Sequence, residues 1–495
     1  METRHLLNSD ELEQARQTRD PRFDGRFFVG VLTTGIYCRP VCPVRIPRKE
    51  NVQLYPTAAA AAEAGFRPCL RCRPETSPGT PAWLGSSWKV SRALQLIDRG
   101  LVDDGSLDQL AAQLEVGTRQ LSRLFKKHIG ASPVSVAQTR RLHFAKQLID
   151  DTDLTMTEIC FAAGFGSVRR FNALFQSVYG RSPSRLRGSR GRLPRSEAGI
   201  ALDLRYRPPF DWRSMLDFFA LRAIPGVECV GDSSYQRTIS RHGKAGVIRV
   251  DFHGTDNRVR LQVDFPDTSQ LLPIVEQVRC LFDLRADSLE IQGALAQDPL
   301  LAPLVECYPG LRVPGCWDGL EVAIRAVLGQ QVSVKGASTL MARLVQRLGT
   351  PLNGPAEDGQ GGPIRVFPSP QHLLDGDYSG LGITGQRIDA IKTLARQVLD
   401  GSLLIDGSLE TAPFVDAITR IKGIGTWTAQ YIALRALNDP DAFPDGDLVL
   451  QQVAGWPGPR LSARQLAARS QPWKPWRAYA VMLLWKHAQA LRSMT

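Results

Sequence analysis

The sequence predicts a multi-domain α+β protein of four parts, and three observations support this. The chain has 495 residues, enough for roughly three to five domains at about 100–200 residues each. Two polar stretches rich in Pro, Gly, Ser or Arg, at 73–82 and 187–199, have the composition of linkers. Near residue 312 a mixture of alternating strand-like and amphipathic helical segments gives way to helical periodicity alone.

The four predicted domains differ in architecture. We expect a small α/β domain at 1–78, an all-α domain at 84–188, an antiparallel sheet with helices at 198–312, and an all-α domain at 313–495. Within the third domain the pattern predicts two strands and two helices, at Gly246–Phe252, Val259–Phe265, Trp212–Ala223 and Leu271–Phe282. A hydrophobic content of 43% excludes a mainly disordered chain.

Composition also predicts a location and a class of partner. An apolar leader and apolar runs of about 18–20 residues are missing from the sequence, so we expect a cytoplasmic protein without a membrane partner. The net charge is +12, and residues 84–195 hold 18 Lys and Arg against nine Asp and Glu. Such a local excess attracts polyanions, and nucleic acid is the expected partner. The alternative is an ordinary solvated basic face.

Two closely spaced cysteine pairs predict a metal site. Cys38 and Cys42 are separated by three residues, and Cys69 and Cys72 by two. Two such pairs in a reducing compartment suit one tetrahedral Zn²⁺, which could be purely structural. The remaining cysteines show no ligand spacing and are predicted to be small core residues: Cys160, Cys229, Cys280, Cys307 and Cys316.

The segment around these cysteines resembles a known family. TTGIYCRPVCPVR at 33–45 and ENVQLYPTAAAAAEAGFRPCLRCRPE at 50–75 closely resemble the zinc domain of Ada-type alkylation-response proteins. The resemblance implies that Cys38 irreversibly accepts a methyl group from a methylphosphotriester in DNA. Loss of one thiolate charge should then strengthen DNA binding. Four arginines are candidates for DNA backbone contacts, with solvent-exposed charge as the alternative: Arg39, Arg45, Arg67 and Arg71.

An internal repeat with an offset of 50 residues occupies 84–187. Leu124-Phe125 matches Leu174-Phe175, and Ser132-Pro133 matches Ser182-Pro183. Each copy has the pattern of helix, glycine-containing turn and helix, and the second helices should begin near Thr118 and Ser167. Helical hairpins packed for stability alone have the same pattern, but duplication and positive charge favour DNA binding.

The outward residues of these second helices are suited to DNA. Bidentate donors near a helix start fit major-groove base edges, and the candidates are Arg119, Gln120, Arg123, Arg169, Arg170 and Asn172. ICFAAGFGSVRRFNALFQSVYGRSPSRLR resembles the second half of an AraC-type regulator domain. This implies two recognition helices in successive major grooves, and the predicted partners are promoter DNA and RNA polymerase.

A glycine-containing hairpin and an aspartate-rich turn carry the chemistry of the C-terminal half. ITRIKGIGTWTAQY at 418–431 predicts a tight hairpin between two helices, at which Lys422, Gly423 and Gly425 approach a DNA phosphate. Asp445 and Asp447 follow, and the alternative role for each is a helix cap. Nearby aromatic residues either line a pocket for a cationic ring (Trp427, Tyr431, Trp485) or pack in the core (Trp473, Trp476, Tyr479).

This half resembles the AlkA-type DNA-3-methyladenine glycosylases of the helix-hairpin-helix superfamily. The matching segments include LRYRPPFDWRSMLDFFALRAIPGVE, WDGLEVAIRAVLGQQVSV, GIGTWTAQYIALRAL and WKPWRAYAVMLLW. The resemblance implies that Asp447 is catalytic and Asp445 structural, that Trp427, Tyr431 and Trp485 form the base pocket, and that Gln331 is at the wedge position. It also implies hydrolysis without strand nicking, and a monovalent cation at the carbonyls near Thr419, Ile421 and Gly423.

Together with these patterns, the resemblances imply two alternative functions. The first is a fused sensor, transcription activator and repair glycosylase that excises N-alkylated purines such as 3-methyladenine from double-stranded DNA. The second is a methylation-responsive regulator whose C-terminal half binds DNA without glycosylase activity. Release of 3-methyladenine that depends on Asp447 would distinguish the first function from the second.

Overall fold

The computed structural model describes residues 9–78, 88–98, 100–104, 107–187, 199–254, 256–352 and 362–494. The chain divides into two compact units, of which the first comprises residues 1–208, 253–279 and 284–286, and the second the remainder. The predicted α+β class, with a small sheet region, a helical helix-turn-helix region and a largely helical C-terminal region, is confirmed. The four domain boundaries stay a prediction.

The first unit begins with a small sheet that brings two cysteine-bearing segments side by side. Its elements are α1 (Ser9–Thr18), β1 (Phe28–Val31), β2 (Ile36–Cys38), β3 (Val52–Tyr55), α2 (Ala58–Glu63) and β4 (Arg67–Pro68). The strand order is β3-β1-β2-β4, with β1 antiparallel to both neighbours and β4 parallel to β2. Tyr37 pairs with Pro68, so Cys38 and Cys69 leave the sheet at the same end.

The repeat forms two helix-turn-helix copies in the same unit. The helices are α3 (Trp88–Asp98), α4 (Leu101–Asp104), α5 (Leu107–Gln113), α6 (Thr118–Ile129), α7 (Pro133–Asp151), α8 (Met156–Ala162), α9 (Val168–Tyr179) and α10 (Pro183–Arg187). The predicted offset of 50 is confirmed, since α6 and α9 start and end 50 residues apart. Gly130 and Gly180 end these helices with φ of +77° and +66°, a conformation that favours glycine.

Residues 199–281 contribute strands and helices to both units. The elements are β5 (Ile200–Arg205), α11 (Trp212–Arg222), β6 (Glu228–Val230), β7 (Ser234–Arg241), β8 (Lys244–Phe252), β9 (Arg258–Asp264) and α12 (Leu271–Leu281). In the first unit β5 pairs antiparallel with β9. In the second, β6, β7 and β8 form an antiparallel meander. The two predicted strands and two predicted helices are present, with ends shifted by at most two residues.

The rest of the second unit is almost wholly helical, as expected. Its elements are α13 (Ser288–Leu295), α14 (Ala302–Cys307), α15 (Gly319–Leu328), α16 (Val334–Leu348), β10 (Thr350–Pro351), β11 (Arg365–Val366), α17 (Pro370–Asp375), α18 (Gly385–Leu399), α19 (Thr411–Ile418), α20 (Thr426–Ile432), α21 (Leu448–Gly455), α22 (Ala463–Arg469) and α23 (Arg477–Met494). A π-helical turn at Ala433–Leu437 extends α20.

The residues predicted to pack in the core are buried in part. Trp473, Trp476 and Tyr479 are buried, as expected of core residues. Cys160 and Cys316 are buried, but Cys307, at the end of α14, is exposed, so its assignment to the core was wrong. Over the described residues, the helices include none long and apolar enough to cross a membrane.

Candidate functional sites

The four predicted ligand cysteines form one buried cluster. Their Sγ atoms all lie within 4.8 Å of one another, and each residue is 6–8% exposed. A tetrahedron of thiolates about 2.3 Å from a zinc ion has S···S distances of about 3.8 Å, so the cluster has the right size and donor set for Zn²⁺. The backbone N–H of Arg39 donates to Cys72 Sγ at 3.4 Å, a contact that stabilises a thiolate.

Hydrogen bonds among the four thiols shift their pKa values in a way that is consistent with a cation site. A hydrogen bond with Cys38 lowers the pKa of Cys42 to about 7 and lowers that of Cys69 as well. Hydrogen bonds with neighbouring thiols raise the pKa values of Cys38 and Cys72. Closely packed thiols therefore resist joint ionisation, and a divalent cation would offset their mutual repulsion.

One of the four arginines beside this cluster differs from expectation. Arg39 is 5% exposed and its guanidinium pairs with buried Asp24 through Nε (2.8 Å) and Nη2. Arg39 also donates to the carbonyl of Cys72. Its assignment to DNA backbone contacts was therefore wrong, because its charge is used inside the fold. By contrast, the side chains of Arg45, Arg67 and Arg71 are exposed.

The cysteine-bearing segment packs directly on the helix-turn-helix region. Tyr37 Oη lies 2.7 Å from His143 Nε2 on α7, and burial lowers the pKa of His143 to about 4, so this ring is neutral. Arg73 pairs with Asp151 at 2.9 Å at the end of the same helix. Glu63 accepts from the backbone N–H of Ser132 at 2.9 Å. These contacts tie the segment that carries Cys38 to the helix between the two repeats.

All six predicted DNA-reading side chains are exposed on the second helix of their repeat. Arg119, Gln120 and Arg123 lie on α6, and Arg169, Arg170 and Asn172 lie on α9. The start of α9 is fixed because Ser167 Oγ accepts from the backbone N–H of Arg170 at 3.2 Å. The surfaces are thus available to a nucleic acid, and their individual contacts stay predictions.

The predicted hairpin lies between α19 and α20. Gly423 has φ of +94°, so the turn requires glycine, while Gly425 is the N-cap of α20 and Lys422 is exposed. Gln330 Nε2 donates to the Gly423 carbonyl at 2.8 Å, and the Ile421 carbonyl accepts from Ile424 N–H. Two of the proposed cation-binding carbonyls thus already accept a hydrogen bond, and the monovalent cation stays a prediction.

Asp447 lies at the centre of the second candidate site. It is the N-cap of α21, where Oδ1 accepts from the backbone N–H of Leu450 at 2.9 Å. Its Oδ2 accepts from Trp427 Nε1 at 2.9 Å, and Oδ1 from Trp485 Nε1 at 3.4 Å. The residue is 8% exposed. The capping role and the predicted aromatic setting therefore coexist at one carboxylate, whose two oxygens are fixed in orientation. Asp445, by contrast, contributes its backbone carbonyl to Gln451 Nε2.

Three aromatic rings surround this carboxylate. Trp427 and Tyr431 are one helical turn apart and stack with centroids 5.7 Å apart and an interplanar angle of 10°. Tyr431 and Trp485 have centroids 6.3 Å apart, tilted by 47°. Trp427 is 37% exposed, so part of its face is accessible. The sequence prediction that these three rings and Asp447 come together agrees with the structure.

A cluster of guanidinium groups, not predicted from the sequence, surrounds the phenol of Tyr431. Arg435 Nη1 donates to Tyr431 Oη at 3.2 Å. Burial raises the pKa of Tyr431, but the charges of Arg435, Arg222 and Arg325 outweigh it and bring the pKa to about 8. One signal was available, because Arg435 follows Tyr431 by four residues and Trp427 by eight, on one helical face.

We expect Tyr431 to ionise near pH 8, well below the other buried phenols. An ultraviolet titration of tyrosinate should show one phenol ionising there in the wild type, and this step should vanish in Tyr431→Phe. Because the folded pKa is lower than the unfolded value near 10, the wild-type free energy of unfolding should rise relative to Tyr431→Phe as pH increases from 8 to 10. A step that persists in Tyr431→Phe would contradict the assignment.

The predicted wedge residue, Gln331, lies in the turn between α15 and α16. It is exposed and has φ of +56°, a strained conformation for a residue other than glycine. Its neighbour Gln330, which the sequence analysis did not single out, also donates to Thr428 Oγ1 at 3.3 Å. The turn between α15 and α16 is therefore hydrogen-bonded to the hairpin through Gln330. The role of Gln331 as a wedge stays a prediction.

A buried four-thiol site, two helix-turn-helix copies and a hairpin beside a carboxylate walled by aromatic rings define a DNA-directed protein of regulatory and repair type. Family models agree with these parts: the metal binding domain of Ada matches residues 11–75, a helix-turn-helix domain matches 110–189, and the AlkA N-terminal domain matches 201–318. The four cysteines are thus the zinc site of an Ada-type domain.

Relatives extend the agreement to nearly the whole chain. The chain is 40% identical over 476 residues to the probable bifunctional transcriptional activator/DNA repair enzyme AlkA of Mycobacterium tuberculosis, covering 95% of each protein. It is 34% identical to DNA-3-methyladenine glycosylase 2 of Escherichia coli, over 57% of this chain and 95% of that protein. The chain belongs to the family of bifunctional transcriptional activator/DNA repair enzymes of AlkA type.

A solved structure shows the same fold over part of the chain. The 3-methyladenine DNA-glycosylase of Archaeoglobus fulgidus matches with a TM-score of 0.51 and 19% identity, over 58% of this chain and 98% of that one. At this identity the likeness is one of fold.

Proposed function

We propose that the chain is a bifunctional alkylation-response protein that captures methyl groups from DNA phosphotriesters at Cys38, activates transcription, and excises N-alkylated purines from double-stranded DNA. One observation carries the repair activity: Asp447 is fixed by indole N–H groups at the edge of a stacked Trp427–Tyr431 pair. Such a site offers a negative charge beside a surface that favours cations.

The proposed excision is a hydrolysis of the N-glycosidic bond. The bond between the sugar C1′ and the base nitrogen breaks, and its electron pair leaves with the purine. A water oxygen then forms the new bond to C1′, and its proton passes to solvent, leaving an abasic site and a free base. Asp447 stabilises the positive charge that develops on the sugar and orients the water. Trp427 occupies the position at which related lyases carry a nucleophilic lysine, so the strand is not nicked.

Selectivity for damage follows from charge. Alkylation at N3 or N7 makes a purine cationic, so the purine is both a good leaving group and a better partner for aromatic faces. The 37% exposure of Trp427 leaves a face on which such a ring can stack. Flipping the nucleotide costs a few kcal/mol, and less for a damaged base.

The proposed methyl capture takes place at the zinc site. The Cys38 sulfur forms a bond to the methyl carbon, the carbon–oxygen bond of the triester breaks, and its electron pair stays on the phosphate oxygen. The products are S-methylcysteine and an ordinary phosphodiester. When bound, Zn²⁺ holds the thiol as a nucleophilic thiolate at neutral pH. Tyr37, the residue before Cys38, is tied to His143 of α7, the helix between α6 and α9, which supports a link between the acceptor and the DNA-binding region.

Promoter recognition is proposed for α6 and α9, with RNA polymerase as the partner that responds and the cytoplasm as the location. The exposed cationic side chains on both helices support DNA contact. Loss of one thiolate charge on methylation would strengthen binding to phosphates.

The test of this function uses the purified zinc-loaded chain and two DNA substrates. The chain should release 3-methyladenine from duplex DNA treated with a methylating agent, and chromatography should detect the free base. Mass spectrometry of the chain after incubation with methylphosphotriester DNA should show one added methyl group on Cys38. Capture without base release would support the regulator alternative, and modification of a different cysteine would contradict the assignment of Cys38.

We expect Arg169→Ala to weaken promoter binding selectively. An arginine near the start of a recognition helix can donate two hydrogen bonds to a guanine, worth about 1–3 kcal/mol of discrimination. The affinity ratio between a duplex selected by the wild type and a random duplex should therefore fall roughly 5- to 150-fold. Gln176→Ala, at the exposed far end of α9, is the matched control. Equal loss on both duplexes would instead indicate a phosphate contact.

A further inference from the structure

A cavity beside the zinc site is shared by the two halves of the sequence. It has a volume of about 370 Å³ and lies within the first unit. One group of lining residues includes Arg39, Arg71 and Cys72, and a second group comprises Arg205, Tyr206 and Asn257. The second group comes from β5 and the turn before β9, far along the chain from the cysteines. A volume of this size is in the range of ligand-binding pockets, about 300–1,000 Å³.

Guanidinium groups outnumber carboxylates in the lining of this cavity, with three arginines and one aspartate. Asp24 is also part of the lining, but its carboxylate is paired with Arg39. Among the described residues, the ion pairs include none with Arg71 or Arg205. Arg205 Nη1 makes a long hydrogen bond, 3.4 Å, to the carbonyl of Asp256. Two guanidinium groups are thus available to an anion that enters the cavity.

Arg205 is held in place by its surroundings. It is the last residue of β5 and pairs in register with Arg258 of β9. Burial, followed by the positive charge of Arg39, lowers the pKa of Arg205. A half-buried guanidinium beside like charges is costly, and an anion would relieve this cost.

We propose that this cavity binds a phosphodiester group of the DNA backbone, with Arg205 and Arg71 as its charged contacts. The wall formed by Cys72 places the bound strand next to the zinc site, whose Sγ atoms lie within 4.8 Å of each other. The AlkA-like part of the chain thereby supplies a positioning residue for methyl capture. This inference rests on the proposed role of Cys38.

The first test measures a phosphate contact without methyl transfer. The full zinc-loaded chain binds unmodified duplex DNA over a range of salt concentrations. Arg205→Gln should reduce the slope of log affinity against log salt by about 0.9, the value for one lost phosphate contact in B-DNA. Arg205→Lys should keep the slope. Arg260→Gln is the matched control, because Arg260 lies on β9 of the same sheet, pairs with Asp203 and is outside the cavity lining.

The second test measures methyl transfer from a methylphosphotriester duplex. Arg205→Gln should raise the half-saturating DNA concentration about 5- to 10-fold while the rate at saturation stays unchanged. Zinc content and melting temperature should equal those of the wild type. Because the salt slope needs no methyl transfer, a wild type that captures no methyl would contradict the function of Cys38 alone.

Two results would overturn the proposal. In the first, Arg205→Gln matches Arg260→Gln in both salt slope and half-saturating concentration. In the second, inorganic phosphate binds the wild type without displacing duplex, and Arg205→Gln loses this phosphate binding yet binds duplex as the wild type does. The cavity would then be a site for the free anion and not for DNA.

Discussion

Replacing Asp447 by asparagine is expected to reduce the release of alkylated purines by about 10²–10³-fold, the loss seen when one preorganised electrostatic group is removed from a transition state. The substitution removes the negative charge, and it also replaces the Oδ2 acceptor of Trp427 Nε1 by an amide donor, so that one hydrogen bond is lost. Asparagine is an equally good N-cap, so the bond from Leu450 N–H to Oδ1 can persist, and α21 keeps its start.

The measurement compares single-turnover release of 3-methyladenine by the variant and the wild type on one methylated duplex. Asp445→Asn is the matched control, because Asp445 is two residues away and contributes its backbone carbonyl. It should release base at nearly the wild-type rate, and both variants should bind duplex DNA normally. Full activity in Asp447→Asn would remove the basis of the proposed site.

Removing Zn²⁺ is expected to unfold the N-terminal segment of the first unit. Structural zinc sites in small peptides contribute about 10–16 kcal/mol of apparent binding free energy, which is folding free energy. Four buried thiols within 4.8 Å of one another would lose the cation that holds them together. The contacts of Tyr37 with His143 and of Arg73 with Asp151 should weaken too, so α7 should lose stability.

A thermal melt followed by circular dichroism, before and after a strong chelator, checks this expectation. Cys69→Ala should melt early and bind little zinc even without chelator. Cys307→Ser is the control, because Cys307 is exposed and outside the cluster. A melting curve unchanged by chelation would show that the segment is stable without metal.

Local patterns in the sequence carried much of the fold. The offset of 50 predicted both recognition helices, because each is bounded by local signals: a glycine at its end and a Ser-Pro start for the next helix. The pairing of Trp427 with Tyr431 was also accessible, since the two rings share one helical face. Both features depend on neighbours within a few residues, whereas the role of Asp447 beside these rings was implied by the family resemblance.

Contacts between distant residues could not be predicted in the same way. Arg39 has the appearance of a DNA contact in sequence, and only the fold shows that Asp24 neutralises it. The link from Gln330 to Gly423 spans 93 residues. The guanidinium cluster around Tyr431 brings together arginines from three separate helical segments. In the sequence, each of these arginines alone looks like an ordinary surface residue.

The hydrogen bond between Tyr37 and His143 has a consequence for how a cell would register DNA methylation. Tyr37 adjoins the proposed acceptor Cys38, and His143 belongs to α7, the helix between the two recognition helices. The site of methylation and the promoter-binding region are therefore joined by a direct side-chain contact. A carbon–sulfur thioether is not undone by thiol exchange. If Cys38 is the acceptor, each molecule therefore undergoes one methylation, and an unmethylated acceptor is restored by newly made protein.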